Sequence, residues 1–304
     1  MKYCLRIITN NVRLIIAAIF LLGTASCQRE VHIDLGTTPP KVVIQGQIEN
    51  GMPPFVVVSS TISFFSSVDL GTLEKSFLHD AHITVSDGSK TITLKEYSID
   101  TGTNNKFYVY SIDSSNIMLG ELGKMYSLSV TYGGTTYTSV TKIPFPKGVD
   151  SMWVDVPESV RDKTPKTARE LFVNYTDPDS LGDYVRCFTK RNKQQFYPDA
   201  LFTDEIVNGK PINKIGLLAG YPESSSSTTV NRDSLIYFFP GDTVTLKWSS
   251  IDKGVYKFWN SVEFAKNATG NPFSSPINLV SNITNGGLGV WAGYGNSVRT
   301  LVVN

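Results

Sequence analysis

His82-Ile83-Thr84-Val85-Ser86-Asp87-Gly88-Ser89-Lys90-Thr91-Ile92-Thr93-Leu94 is the stretch that decides the fold class. Ile83 and Val85, then Ile92 and Leu94, stand at alternate positions with polar residues between them. A period of two lines one face of a β-strand with apolar side chains and leaves the other face polar. Asp87-Gly88 sits between the two runs and tolerates the positive φ of a tight turn, so the stretch reads as a hairpin.

The same pattern recurs on both sides. Upstream, Val42, Ile44 and Ile48 alternate with Val43, Gln45 and Gln47, and Phe55-Val56-Val57-Val58 is a continuous apolar run, as in a strand buried on both faces. Downstream, residues 107–111 form a strand, and 126–130 lead through Gly133-Gly134 into 136–141 as a second hairpin. No helical period separates these runs. The spacing predicts an immunoglobulin-like β-sandwich over residues 41–146, closing at Ile143-Pro144-Phe145-Pro146-Lys147-Gly148.

Residues 147–304 are expected to form a second β-rich domain. Its strands are placed at 152–156, 170–175, 184–189, 235–239, 243–248, 289–292 and 298–303, with a polar low-complexity loop at 224–229. One helix is predicted near 253–266. Asp252 caps it by accepting from the free amides of the first turn. Val255, Phe258, Trp259, Val262 and Ala265 fall at helical spacing, opposite Lys253, Lys257, Glu263 and Lys266.

The N-terminus speaks of location. Lys2, Arg6 and Arg13 precede an apolar run over 14–22, then Thr24-Ala25-Ser26 and Cys27. A basic segment, a short apolar segment and small residues at a cut site make a secretory signal. The run is shorter than the roughly 20 residues a membrane span needs. A cysteine at the first mature position adds a thiol that can carry lipid. Residues 1–26 are therefore read as a lipoprotein signal peptide and Cys27 as the lipid attachment site. Residues 27–40, ending in Gly36-Thr37-Thr38-Pro39-Pro40, are read as a tether. The alternative is an ordinary signal cut near Ser26 with Cys27 incidental. Gln28 after the cysteine favours the outer membrane.

Composition narrows the chemistry. A net charge of +1 offers no field for nucleic acid. Beyond the signal, Cys27 and Cys187 are the only cysteines, so lipidation of Cys27 leaves no intramolecular disulfide. The three histidines are His32, His79 and His82. His79 and His82 have the spacing of a metal pair, but a zinc site needs three or four ligands, and a polar strand is the simpler reading. No Gly-x-Ser-x-Gly elbow and no phosphate-binding glycine loop occurs. Cys187, inside Tyr-Val-Arg-Cys-Phe, reads as a buried thiol. Asp177, Asp179 and Asp183 with Gly182 resemble a calcium loop. Leu181 and Phe188 occupy two of its ligand positions, so a turn is preferred. Trp153, Trp248, Trp259 and Trp291 serve either core packing or sugar stacking. No catalytic residue, metal or cofactor is assigned.

A family resemblance completes the reading. Its marks are Ile33-Asp34-Leu35 and 41–48 near the mature start, then Gly123, Tyr126, Leu128 and Val130 followed by Tyr137, Thr141, Ile143 and Pro144. Further on come Gly241-Asp242, Val244, Tyr256 and Phe258-Trp259. The series ends in Asn271-Pro272-Phe273, Pro276, Ser281-Asn282-Ile283 and Gly286-Gly287 with Gly289-Val290. By these residues the chain resembles the Bacteroidota lipoproteins grouped as domain of unknown function 4249. Where relatives tend to have Asn-Tyr-Tyr-Arg, this chain has Asp183-Tyr184-Val185-Arg186. The resemblance implies a lipid-anchored outer-membrane protein facing the cell exterior. Relatives tend to be encoded beside TonB-dependent transporters. The expected function is thus a non-enzymatic accessory or binding partner of such a transporter or envelope complex. The alternative is an independent glycan- or peptide-binding surface lipoprotein. The terminal Asn-Pro-Phe and Gly-Gly motifs are read as fold determinants rather than a ligand site.

Overall fold

The computed structural model describes residues 39–62, 69–102, 104–157, 165–205, 208–219, 236–268 and 278–304. The protein is mainly β, as the alternating runs require. The central layer is an eight-stranded sheet. Its N-terminal half contains β1 (Val42–Glu49), β2 (Phe55–Ser60), β5 (Lys95–Asp100) and β6 (Lys106–Ser111). Its C-terminal half contains β11 (Tyr184–Arg191), β12 (Tyr197–Thr203), β14 (Thr243–Ile251) and β15 (Leu288–Val302). The spatial order is β12-β11-β14-β15-β1-β2-β6-β5. A four-stranded sheet consists of β3 (His82–Ser86), β4 (Thr91–Thr93), β7 (Met125–Tyr132) and β8 (Thr135–Lys142) in the order β4-β3-β7-β8. A three-stranded sheet is ordered β13-β10-β9, from β9 (Ser151–Asp155), β10 (Glu170–Thr176) and β13 (Pro211–Leu217). Helix α1 (Leu70–Ser76) is short and α2 (Lys253–Ala268) is long.

Both smaller sheets cover the same face of the large one. Odd-numbered β15 residues point toward them. Trp291 joins Ile44, Ile48, Val56 and Val58 against Ile83, Val85, Tyr126, Leu128 and Val130 of the four-stranded sheet. Leu301 joins Val244, Leu246 and Trp248 against Leu171, Val173 and Tyr175 of β10. Even-numbered β15 residues face the other way. Val290, Ala292 and Tyr294 pack with Val255 and Phe258 of α2. The helix thus buries the apolar stripe that its sequence predicts.

The expected sandwich over 41–146 is present as a packing of two sheets, and both expected hairpins form, β3–β4 around Gly88 and β7–β8 around Gly133 and Gly134. Residue 146 does not separate two independent domains, however. β15 pairs parallel with β1, from Val43 with Leu288 to Glu49 with Tyr294, and antiparallel with β14 on its other side. The last strand therefore welds the two halves into one sheet. Residues 142–148 cross from one covering layer to the other directly over β15. A Cβ on Gly293 would collide with the Lys142 carbonyl, and one on Gly295 with the Pro144 carbonyl. A Cβ on Gly148 would stand 2.6 Å from Ser297 Oγ. Val149 then enters the second core.

These glycines also correct two strand assignments. The runs placed at 289–292 and 298–303 are one fifteen-residue strand, because Gly293 and Gly295 admit a crossing chain instead of ending the strand. Residues 236–239 contribute only a bridge between Phe238 and Arg169. Three strands are absent from the sequence reading: β5, β12 and β13. All three lie at sheet edges, where the outer side chains meet water and proline is tolerated.

Gly295→Ala is expected to lower stability by about 3 kcal/mol, since backbone would have to part from backbone. Gly71→Ala in α1, where a Cβ meets nothing closer than 3.5 Å, is expected to leave stability within about 1 kcal/mol. Urea titration followed by circular dichroism compares the two. Equal midpoints for Gly295→Ala and the parent would refute this account of the crossing.

Candidate functional site

Two aspartates organise one corner of the C-terminal half. Asp252 precedes α2, and its Oδ1 accepts from the Val255 N–H at 2.9 Å, as the sequence predicts for a cap. Its Oδ2 accepts from Thr141 Oγ1 at 2.6 Å and from the Lys142 N–H at 3.3 Å, which ties the helix to the end of β8. Asp204 follows β12 and is 2% exposed. Its Oδ2 accepts from the Gly182 N–H and from the Asp183 N–H at 3.0 Å, which ties β12 to the turn before β11.

A cavity of about 590 Å³ lies between these anchors. That size falls in the range of small-ligand pockets, roughly 300–1,000 Å³. Tyr184 and Ile251, paired across β11 and β14, are buried in its floor. Lys142, Lys253, Asp183 and Glu205 line it, with Leu181, 80% exposed, at the rim. Of the four charged residues only Asp183 was weighed from sequence as a ligand, in the calcium-loop comparison, where a turn was preferred. The readable signals were Asp252 as a cap and Asp183 in a turn. That the turn faces the helix start depends on β11–β14 pairing, which has no local sequence mark.

The other candidates resolve as follows. Cys27 and His32 lie outside the described residues, as does the Asn271-Pro272-Phe273 segment. His79 Nδ1 lies 2.5 Å from Glu96 Oε1, and its ring packs edge-on to Tyr108. His82 is exposed. Among the described residues no three His, Cys, Asp or Glu side chains converge as a metal site. The Asp177 loop is a hydrogen-bonded turn. Asp177 accepts from the Gly209 N–H at 3.2 Å, Ser180 Oγ donates to Asp183 at 2.7 Å, and Gly182 takes a φ of +100°. Burial raises the Asp177 carboxyl above its ordinary range. Cys187 is fully buried, and burial pushes its thiol far above the usual range, so it holds its proton.

The tryptophans belong to packing. Trp248 and Trp291 are buried, and Trp153 stacks on Phe172. Trp259 is half-buried beneath the Arg186 guanidinium, 3.4 Å from its ring centroid. Trp259 Nε1 donates to Tyr294 Oη at 2.9 Å, and Arg186 donates to the same oxygen at 3.4 Å. The Trp259 face is thus covered by a cation rather than open to a sugar. Arg186 itself is 6% exposed, and burial lowers its pKa from the ordinary value.

The segment after α2 has a structural task. Asn282 pairs with the Trp291 backbone twice, accepting from its N–H and donating to its carbonyl, both at 2.9 Å. Thr284 exchanges hydrogen bonds with the Thr138 backbone, and Asn285 donates to the Thr136 carbonyl at 2.6 Å. These groups fill the free edge of β8 and fix β15 beneath it. Asn282 belongs to the Ser281-Asn282-Ile283 mark of the sequence, and Thr284 and Asn285 lie between it and Gly286-Gly287.

A family model described as Domain of unknown function (DUF4249) matches residues 28–300. The chain belongs to this family. No curated protein and no solved structure matches it. In this DUF4249 protein the terminal Ser281–Gly289 motif therefore acts as a fold determinant within the described residues. Among those residues no helix is long and apolar enough to cross a membrane.

Asp252→Ala removes a helix cap and orphans Thr141 Oγ1, and should cost about 1–3 kcal/mol. Thermal melting checks this; an unchanged melting temperature would show that Asp252 does not anchor α2 to β8.

Proposed function

We propose that this protein is a lipid-anchored lipoprotein of the outer membrane, facing the cell exterior, and that it acts without enzymatic chemistry as an accessory of a TonB-dependent transporter or envelope complex. The anchor reading rests on the signal-like segment ending at Cys27. The docking reading rests on one observation: four large apolar side chains stand exposed on loops that are hydrogen-bonded to one another. Backbone hydrogen bonds from Gly51 to the Gly120 carbonyl at 2.8 Å and from Gly120 to the Met52 carbonyl at 2.9 Å join two loops. Gly123 donates to the Ile143 carbonyl at 2.7 Å and draws in a third. Met52, Ile117, Leu119 and Phe145 stand out from these loops at 54%, 56%, 46% and 72% exposure. Apolar side chains held outward on loops tied together in this way mark a protein contact surface.

The second reading is an independent binding lipoprotein. The cavity between Asp204 and Asp252 favours it, in its peptide form rather than its glycan form, since no tryptophan lines that cavity.

The test is affinity capture of tagged protein from gently solubilised outer membranes, with Cys27→Ala and Leu119→Glu variants alongside. The expected outcome is a stoichiometric TonB-dependent transporter with the parent chain. Cys27→Ala should leave the membrane fraction, and Leu119→Glu should keep its anchor and melting temperature but lose the transporter. Recovery of the anchored protein alone would replace the accessory reading with the independent one.

A further inference from the structure

We infer that the cavity between Asp204 and Asp252 binds a zwitterion, the free amino and carboxylate groups of a short peptide. This goes beyond the accessory reading and does not depend on it.

The argument starts from the two anchored aspartates. Asp252 holds the Lys142 backbone at 3.3 Å and directly precedes Lys253, so the two lysines reach the lining from neighbouring backbone. Asp204 holds the Asp183 backbone at 3.0 Å and directly precedes Glu205, so these two acids also reach the lining from neighbouring backbone. The anchoring carboxylates are themselves engaged by N–H and O–H donors. The four outer charges are not neutralised by one another. Among the described residues no ion pair joins Lys142 or Lys253 to Asp183 or Glu205 within 4.0 Å. Flexible opposite charges in a shared cavity ordinarily close on each other. Here the Lys142 and Asp183 backbones are each held by a different aspartate, and the paired Tyr184 and Ile251 lie buried beneath.

A cavity with a cationic wall, an anionic wall and an apolar floor fits one chemistry. A carboxylate meets Lys142 and Lys253, the two cationic side chains of the lining. An ammonium meets Asp183 and Glu205. An aliphatic side chain lies on Tyr184 or against the exposed Leu181. A neutral sugar would leave both charged walls without partners. A polyanion would be repelled by the acidic wall.

The experiment is isothermal titration of detergent-solubilised full-length protein with free tri-alanine, and with tri-alanine acetylated at its N-terminus or amidated at its C-terminus. Free tri-alanine should bind, and each capped form should bind about tenfold or more weakly, the loss of one charge-assisted pairing. Glu205→Gln should weaken the free peptide by a similar factor yet leave the acetylated peptide unaffected. Lys253→Gln should do the same against the amidated peptide. Glu205 and Lys253 are exposed, so both variants should melt as the parent does. Absence of free tri-alanine binding overturns the inference. So does binding indifferent to both caps, or to both substitutions. Transporter capture is unaffected by either result, so failure here is distinguishable from failure of the accessory reading.

Discussion

The structure depends on one backbone crossing. Residues 142–148 pass over β15 so closely that Gly293 and Gly295 have no room for a side chain. Everything C-terminal to residue 148 reaches its place by this route, and the strand being crossed is the one that joins the two halves of the large sheet. Neighbouring interactions lock the crossing in place. Trp291 lies beside Gly46, where a Cβ would come within 2.6 Å of its ring, and its Nε1 donates to the Tyr126 carbonyl at 2.9 Å. Thr141 Oγ1 accepts from the Gly293 N–H at 2.8 Å while donating to Asp252. One hydroxyl therefore connects β8, β15 and the start of α2.

The cavity is a by-product of that arrangement. Because residues 141 and 142 are fixed to Asp252, the end of β8 stands beside the start of α2, although they are far apart in sequence. Because β11 pairs with β14, the turn before β11 stands beside the same helix start. Three chain segments with unrelated local roles thus meet around Tyr184 and Ile251.

Much of the fold was legible, and the illegible parts share a cause. Strands with one face on a core announced themselves: Ile83 and Val85, or Leu128 and Val130, alternate because water is excluded from one side only. The α2 stripe and its Asp252 cap were equally plain. β5, β12 and β13 escaped notice because an edge strand needs no such alternation, and Pro198 and Pro211 sit comfortably where one flank of the strand lacks a partner. The parallel pairing of β1 with β15 was invisible because no local feature records a partner almost the whole chain away. Strands were placed on either side of residues 293–297, whose Gly293 and Gly295 give clearance to the crossing chain. The site was legible only in fragments. Asp252 and Asp183 were seen in their local roles, while the facing of two walls emerges from strand order alone.

The placement of β15 sets the order in which the molecule can become whole. During synthesis β1 and β14 are made long before their common neighbour, so each waits as an open edge of a separate half-sheet. Non-local pairing of this kind is slow, and open edges invite association with other chains. A chain cut short before Leu288 would lack not a peripheral strand but the seam itself.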